Sequence, residues 1–214
     1  MTRPIRSETP SGIVLAGGRS SRYGADKLAA ELDGTPLLQR AIAALAQACC
    51  EVVVVVAPDG AAALPSGAGV PLRIARDARP GGGPLVGLVA GLDAAIAPVA
   101  IVVGGDMPRL VPALLAELGR RADGGRAAAL MDGAHVRPLP CALPREAAGT
   151  AARELLAAGG SSLWEVLEAV GLSSVPESEW RQWDPAGDSL IDVDRPDDLR
   201  TAQGHTGGTS QGPR

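Results

Sequence analysis

Short apolar runs alternate along this chain with longer stretches in which apolar residues recur every three or four positions. Gly12–Ala16 is the first run, and it breaks directly into a glycine-rich loop. After Pro36, the residues Leu38, Ile42, Leu45 and Cys49 fall at steps of four, three and four, which predicts one face of a helix. Val52–Ala57 opens with five consecutive valines. An unbroken β-branched run, with no polar alternation, predicts a strand covered on both faces, as in a parallel sheet. Leu72–Ala75 predicts a shorter strand ending near Asp77, and Val86–Ile96 a helix with Leu88, Leu92 and Ile96 on one face. Val99–Val103 is another buried strand, closed by Gly104-Gly105-Asp106. Pro112–Arg121 is helical, with proline in its first turn and basic residues in its last.

Strand and helix thus alternate with connections short enough for βαβ units, which predicts an α/β fold on a parallel sheet with right-handed crossovers. Ligands of such sheets bind beyond the carboxyl ends of the strands. Three features stand at such ends, the glycine loop, Asp77 and Asp106, so one active site is expected there. The second half is less regular. Ala127–Met131 and Pro138–Leu143 read as strands, Arg145–Ala157 and Leu163–Val170 as helices, and Leu190–Val193 as a late strand entering a helix start at Asp194-Arg195-Pro196-Asp197-Asp198. The ends, Met1–Pro10 and Gly204–Arg214, are rich in Pro, Gly, Ser and Thr and are expected to be disordered.

Composition changes this picture in three ways. The chain has 214 residues, enough for one domain with a sizeable core, but no Phe and only one Tyr. Leu, Val, Ile and Ala must therefore do the packing, and any base recognition must lean on backbone and aliphatic contacts. The net charge of −4 argues against a nucleic-acid partner. Three cysteines, Cys49, Cys50 and Cys141, make neither a disulfide framework nor a zinc set and read as reduced core thiols. The first ten residues lack the apolar stretch of a signal peptide, and no run approaches the roughly 20 apolar residues of a membrane span. A cytoplasmic protein with no membrane partner is expected.

The strongest chemical signal is Leu15-Ala16-Gly17-Gly18-Arg19-Ser20-Ser21-Arg22-Tyr23-Gly24-Ala25-Asp26-Lys27. Paired glycines after a strand let the backbone approach a phosphate and aim successive amides at it. Arg19, Arg22 and Lys27 add three positive charges within nine residues, suited to a triphosphate. The loop is not a Walker A sequence, because Gly24 is followed by Ala25-Asp26, and it lacks the Gly-x-Gly-x-x-Gly of dinucleotide sites. A glycine pair with solvated charges is by itself only a surface loop; its place after the first strand favours the phosphate reading. Asp106 has two readings. A carboxylate ending a buried strand is costly unless paired or metal-bound, but it could also cap a following helix. Asp77 is open between a ligand contact and a loop turn. His135, in Asp-Gly-Ala-His, reads as a turn residue, and Trp164, at helical spacing from Leu167, as core.

The loop resembles the signature Leu-Ala-Gly-Gly-x-Ser-x-Arg-Met-Gly-x-Asp-Lys of the molybdenum cofactor guanylyltransferases, departing from it at Tyr23. Asp77 with Gly83-Pro84-Leu85-Val86-Gly87 is similar to that family's Asp and Gly-Pro-Leu-x-Gly segment. Gly105-Asp106-Met107-Pro108 is similar to its Asp-Met-Pro metal motif, and Arg137-Pro138-Leu139 to its Gln-Pro-Leu. Asp192-Val193-Asp194-Arg195-Pro196-Asp197-Asp198-Leu199 is similar to its Asn-x-Asn-Thr-Pro-x-Asp/Glu-Leu. The resemblance implies a Rossmann-like three-layer sandwich with a mostly parallel central sheet, of the nucleotide-diphospho-sugar transferase-like kind. It divides residues 11–203 into a nucleotide-binding part to about 125 and an acceptor-binding part from about 126.

The same resemblance implies GTP contacts at Leu15, Ala16, Gly17, Gly18, Lys27, Asp77, Gly83, Pro84 and Asp106, with Mg²⁺ on Asp106. It implies transfer of GMP to the terminal phosphate of molybdenum-molybdopterin, with pyrophosphate released and stabilised by Lys27, Arg19 and Arg22. Molybdopterin-delivering and molybdoenzyme-maturation proteins are the protein partners it suggests. Asp192 and Asp194 stand where the family has Asn, and either a metal or pterin contact or a helix cap fits them. Trp180 and Trp183 either anchor the core or rim a pterin pocket. Gly17-Gly18 and Gly83–Gly87 favour guanine, whereas Asp192-Val193-Asp194 leans towards cytidylyltransferase relatives. A cytidylyl transferase, an enzyme acting on a sugar phosphate or phospho-lactate-type acceptor, and a non-catalytic nucleotide binder are the alternatives; a degenerate binder has little reason to keep both Lys27 and Asp106.

Overall fold

The apolar runs become strands of a single seven-stranded sheet. The computed structural model describes residues 9–16, 27–60, 62–79, 82–122, 124–194 and 198–199, with the Lys27 side chain outside that set. In chain order the elements are β1 Ser11–Leu15, β2 Glu31–Leu32, β3 Thr35–Pro36, α1 Leu37–Ala48, β4 Glu51–Val56 and β5 Leu72–Arg76. Then come α2 Pro84–Ala94, β6 Val99–Gly104, α3 Pro112–Ala122, β7 Ala127–Asp132, β8 His135–Pro144, α4 Arg145–Ala157, α5 Leu163–Ala169, β9 Leu172–Val175 and α6 Glu177–Trp180. The sheet order is β5-β4-β1-β6-β8-β7-β9, and β2 pairs with β3 in a separate small ribbon. Every strand of the large sheet runs the same way except β8, which pairs antiparallel with β6 and β7. The α/β, mostly parallel sheet is therefore as expected.

The valine run shows why the strands are continuous in hydrophobicity. All six residues of β4 are buried. Val52, Val54 and Val56 pack with Val14, Ile101 and Val103 under α1 and α3. Val53 and Val55 pack with Ile13, Ala100 and Val102 under α2, α4 and α5. Side chains alternate between faces, so a strand apolar at every position must be covered twice. Gly91 sets how closely α2 can approach: a Cβ there would lie 2.6 Å from Ile13 Cγ2 and 3.1 Å from Val55 Cγ2.

A polar knot closes the amino end of the sheet. Ser11 Oγ donates to Glu51 Oε1 at 2.7 Å, the Ile96 amide donates to the same oxygen at 2.8 Å, and Arg73 pairs with Oε2. The Ala97 amide donates to Ser11 Oγ at 3.0 Å. Burial alone would push the Glu51 carboxyl up, but the bonds from Ser11, Arg73 and Ile96, with the Arg73 charge, hold it below its usual value near 4.5. A carboxyl with a depressed folded value stabilises the fold above its unfolded value, and that contribution fades as pH falls through the folded value. Thermal melts of Glu51→Gln are therefore expected to fall several degrees below wild type at pH 7, with the gap closing below about pH 4.5. Parallel melting curves from pH 7 to pH 3 would sink this assignment.

Pro10, at the end of the segment expected to be disordered, is tied to this end: its carbonyl accepts from the Cys50 amide at 2.9 Å. Residues 1–8 and 200–214 lie outside the described set. The expected strand Leu190–Val193 is not formed. Asp188–Leu190 is a 3₁₀ turn, and Ile191–Asp194 runs on without a sheet partner. No described helix is long and apolar enough to cross a membrane.

Candidate active site

The chain leaving β1 and the turn leaving β6 are stitched together at the carboxyl edge. The Gly105 amide donates to the Leu15 carbonyl at 3.1 Å, and the Ala16 amide to Val55 at 2.8 Å. A Cβ on Gly105 would sit 3.1 Å from Leu28 Cδ2 and 3.4 Å from Leu15 O, so glycine lets this turn lie against the root of the loop and the 3₁₀ turn Lys27–Ala29. One residue on, the half-buried Asp106 folds its carboxylate back over the strand end. A Cβ on Gly104 would collide with Asp106 Oδ1, which explains the glycine pair ahead of the aspartate. The Gly104 amide donates to Met107 Sδ at 3.3 Å. Helix α3 begins only at Pro112, so Asp106 does not cap it.

A C-terminal arm crosses the same edge and places two more carboxylates there. Trp180 is fully buried, and its indole Nε1–H donates to Met131 O at 2.8 Å. Asp184, also buried, accepts from the amides of Asp188 at 2.9 Å and Ser189 at 2.8 Å, and Ser189 Oγ accepts from the Val111 amide at 2.9 Å. This clamp presents Ile191–Asp194 to the turn after β6, where the Val193 amide donates to the Asp106 carbonyl at 3.0 Å. The Val193 side chain is buried with Leu32 and Leu37. Asp192 is raised from its ordinary value by desolvation, then by the charges of Asp194 and Asp106, against the lowering effect of Arg137. Asp192 and Asp194 thus stand in electrostatic reach of one another, and Asp106 of Asp192. The Asp194 amide donates to Asp198 Oδ2 at 2.9 Å.

The nucleotide side of the edge is framed by β5 and α2. The Asp77 amide donates to Val56 O at 2.9 Å, and its Oδ1 accepts from the Arg79 amide at 2.9 Å, so Asp77 both ends the strand and braces a loop turn. Arg76 Nη1 donates to Pro58 O at 2.9 Å and Gly60 O at 2.8 Å, holding the ends of β4 and β5 side by side. Gly83 has φ of 80°, a conformation that favours glycine, and turns the chain into α2 with Pro84 in its first turn. The α2 amino terminus therefore faces the same edge as Asp106.

The family described as the MobA-like NTP transferase domain matches residues 12–175. A protein of Chloroflexus aggregans named "Probable molybdenum cofactor guanylyltransferase" is 38% identical over 94% of this chain and 96% of its own length. One of the same name from Haloferax mediterranei is 33% identical over 89% and 91%. The crystal structure of molybdopterin-guanine dinucleotide biosynthesis protein A from Archaeoglobus fulgidus superposes with a TM-score of 0.74 at 22% identity, covering 93% of this chain and 100% of that one. The chain belongs to the MobA-like NTP transferase family.

As a member of that family the protein is a nucleotidyltransferase, and the expected residues can be placed in its fold. Leu15, Ala16, Asp77, Gly83, Pro84 and Asp106 share the carboxyl edge. Gly17, Gly18, Arg19 and Arg22 lie outside the described residues, as does the side chain of Lys27. The tryptophans divide differently from expectation. Trp164 is 38% exposed at the start of α5, where Ser162 caps the helix, and is no core residue. Trp180 is the core anchor, and Trp183 packs partly against the same cluster. His135 is not in the turn but opens β8 opposite Asp132. Asp184 and Ser189 complete the clamp, and their only sign in the sequence is an Asp five residues ahead of a Ser. Of the three expected core thiols, Cys49 and Cys141 are buried and Cys50 is half-buried; burial first, then Cys50 and Glu51, pushes Cys49 up, and burial pushes Cys141 up to about 12.

Proposed function

We propose that this chain transfers GMP from GTP to the terminal phosphate of molybdenum-molybdopterin, releasing pyrophosphate. The observation that carries the reading is the Leu15–Gly105 stitch, which sets Asp106 beside the root of the glycine-basic loop in a chain of this family. An acceptor phosphate oxygen attacks the α-phosphorus of GTP, a P–O bond forms there, and the bond to the β-phosphate bridging oxygen breaks. The electron pair leaves with pyrophosphate. The nucleophile arrives as an anion and needs no general base, in keeping with Cys49 and Cys141 being buried thiols rather than nucleophiles. What the reaction needs is alignment of two polyanions and neutralisation of the leaving group. Leu15, Ala16, Gly17, Gly18, Asp77, Gly83 and Pro84 would hold the nucleotide, and Lys27, Arg19 and Arg22 would face the departing pyrophosphate.

Among the described residues no three His, Cys, Asp or Glu side chains gather into a set that could hold a metal ion by themselves. The donors present are carboxylate oxygens, Asp106 with Asp192 in electrostatic reach, which suits a hard divalent cation that completes its shell with water and phosphate oxygens. Mg²⁺ on Asp106 would supply charge neutralisation at the α-phosphate. Asp106 would hold that charge beside the loop root, and residues 126–203 would receive the acceptor.

The test is pyrophosphate release with GTP and with CTP, each with and without molybdenum-loaded molybdopterin. Turnover is expected only with GTP and acceptor together, with CTP slower by about a hundredfold. Equal rates with CTP would overturn the guanine assignment, and turnover only with a sugar phosphate would overturn the acceptor.

A further inference from the structure

Arg137 occupies a break in the sheet. Along the β7–β8 pair, Val136 faces Met131 and Cys141 faces Ala129, so residues 137–140 oppose Leu130 alone. An excess of residues on one strand releases them from the ladder and re-aims their side chains. Because β7 runs parallel to β6, its end at Asp132 and the beginning of β8 lie at the same carboxyl edge as Asp106.

The Arg137 side chain is 34% exposed. Nη1 stands 3.8 Å from Asp132 Oδ2, and Nη2 stands 3.8 Å from Asp192 Oδ2. Both separations exceed hydrogen-bond length, so two carboxylates attract the group without saturating it. Its hydrogen bond among the described residues is a long one, from Nη2 to Leu190 O at 3.4 Å. An arginine carries five N–H donors in a rigid fork matched to carboxylate or phosphate. This one is partly open to solvent and stands 3.8 Å from Asp192.

From this we infer that Arg137 is the residue that grips the acceptor's terminal phosphate. The assignment rests on the phosphate-acceptor reading given above. The acceptor must bring a phosphate dianion into a site already crowded by GTP and by Asp106, Asp192 and Asp194. A guanidinium beside Asp192 offsets that repulsion and holds the phosphate whose oxygen is the nucleophile. Asp132 and Asp192 attract the fork only weakly at 3.8 Å, so an incoming phosphate displaces them.

The test is binding of molybdopterin, followed by its pterin fluorescence without GTP, together with KM values for both substrates. Arg137→Gln is expected to weaken molybdopterin binding and raise its KM by about 10- to 100-fold, with KM for GTP within about twofold of wild type. Arg137→Lys recovers only part of the loss, because an ammonium lacks the bidentate fork. Asp132→Asn removes one of the carboxylates that the phosphate displaces and is expected not to raise the acceptor KM. A purely structural Arg137 would make Asp132→Asn and Arg137→Gln behave alike, and that result overturns the inference. If wild type and Arg137→Gln bind molybdopterin equally, Arg137 alone is wrongly assigned. If wild type binds none, the acceptor reading fails and takes this assignment with it.

Discussion

Replacing Asp106 with Asn is expected to lower the rate of pyrophosphate release from GTP by about a thousandfold while barely moving the melting temperature. The backbone and the side chain of this residue have separate roles. Its backbone carbonyl ties down Val193, and that bond survives any side-chain change. Its carboxylate lies over the end of β6, where Gly104 leaves it room and where the loop root arrives through the Leu15–Gly105 bond. Asparagine keeps the size and removes the charge that a divalent cation needs, so the loss falls on the chemical step. Steady-state kinetics with GTP and acceptor, beside a thermal melt, decide it. Wild-type turnover would remove Asp106 from the mechanism, and a melting point lowered by ten degrees would make it a structural residue instead.

Trp180→Ala is expected to be the most destabilising single change, at about 3–5 kcal/mol. For a protein of this length that corresponds to a melting point lower by about 10 °C. Trp180 is the largest fully buried side chain, and its loss also leaves Met131 O without the indole donor. Trp180→Phe keeps most of the volume and loses the hydrogen bond, so about 1–2 kcal/mol is expected there. The effect extends to function, because α6 leads into the Asp184–Ser189 clamp that holds Asp192 at the edge. Under saturating GTP, the acceptor KM should rise more than the KM for GTP. A variant melting within two degrees of wild type would contradict the packing argument.

Much of the scaffold was legible because hydrophobicity itself carries the period. The valine run of β4 and the apolar run of β6 had to be strands buried on both faces, and the proline- and glycine-bounded helices followed within two residues of their observed ends. What escaped were short or polar elements. β9 is Leu172-Ser173-Ser174-Val175, a strand defined by its pairing with β7 and not by its composition. Leu190–Val193 failed in the opposite sense. It is apolar enough for a strand, but its polar groups are taken by Arg137 and Asp106 and its Val193 by Leu32 and Leu37, so it crosses the edge of the sheet instead of joining it. Trp164 was misplaced because helical spacing from Leu167 does not say which side of a seven-residue helix is covered.

By itself the sequence determined the α/β class, the doubly covered parallel strands and the candidacy of the glycine loop, Asp77 and Asp106, because each depends on local pattern or on a motif's own chemistry. Only the tertiary structure decided that β8 reverses direction, that a clamp of Asp184 and Ser189 carries Asp192 to Asp106, and that a register break turns Arg137 towards the same edge. Those outcomes depend on which distant backbone groups find one another, and a hydrogen bond between residues 106 and 193 leaves no mark in the pattern around either.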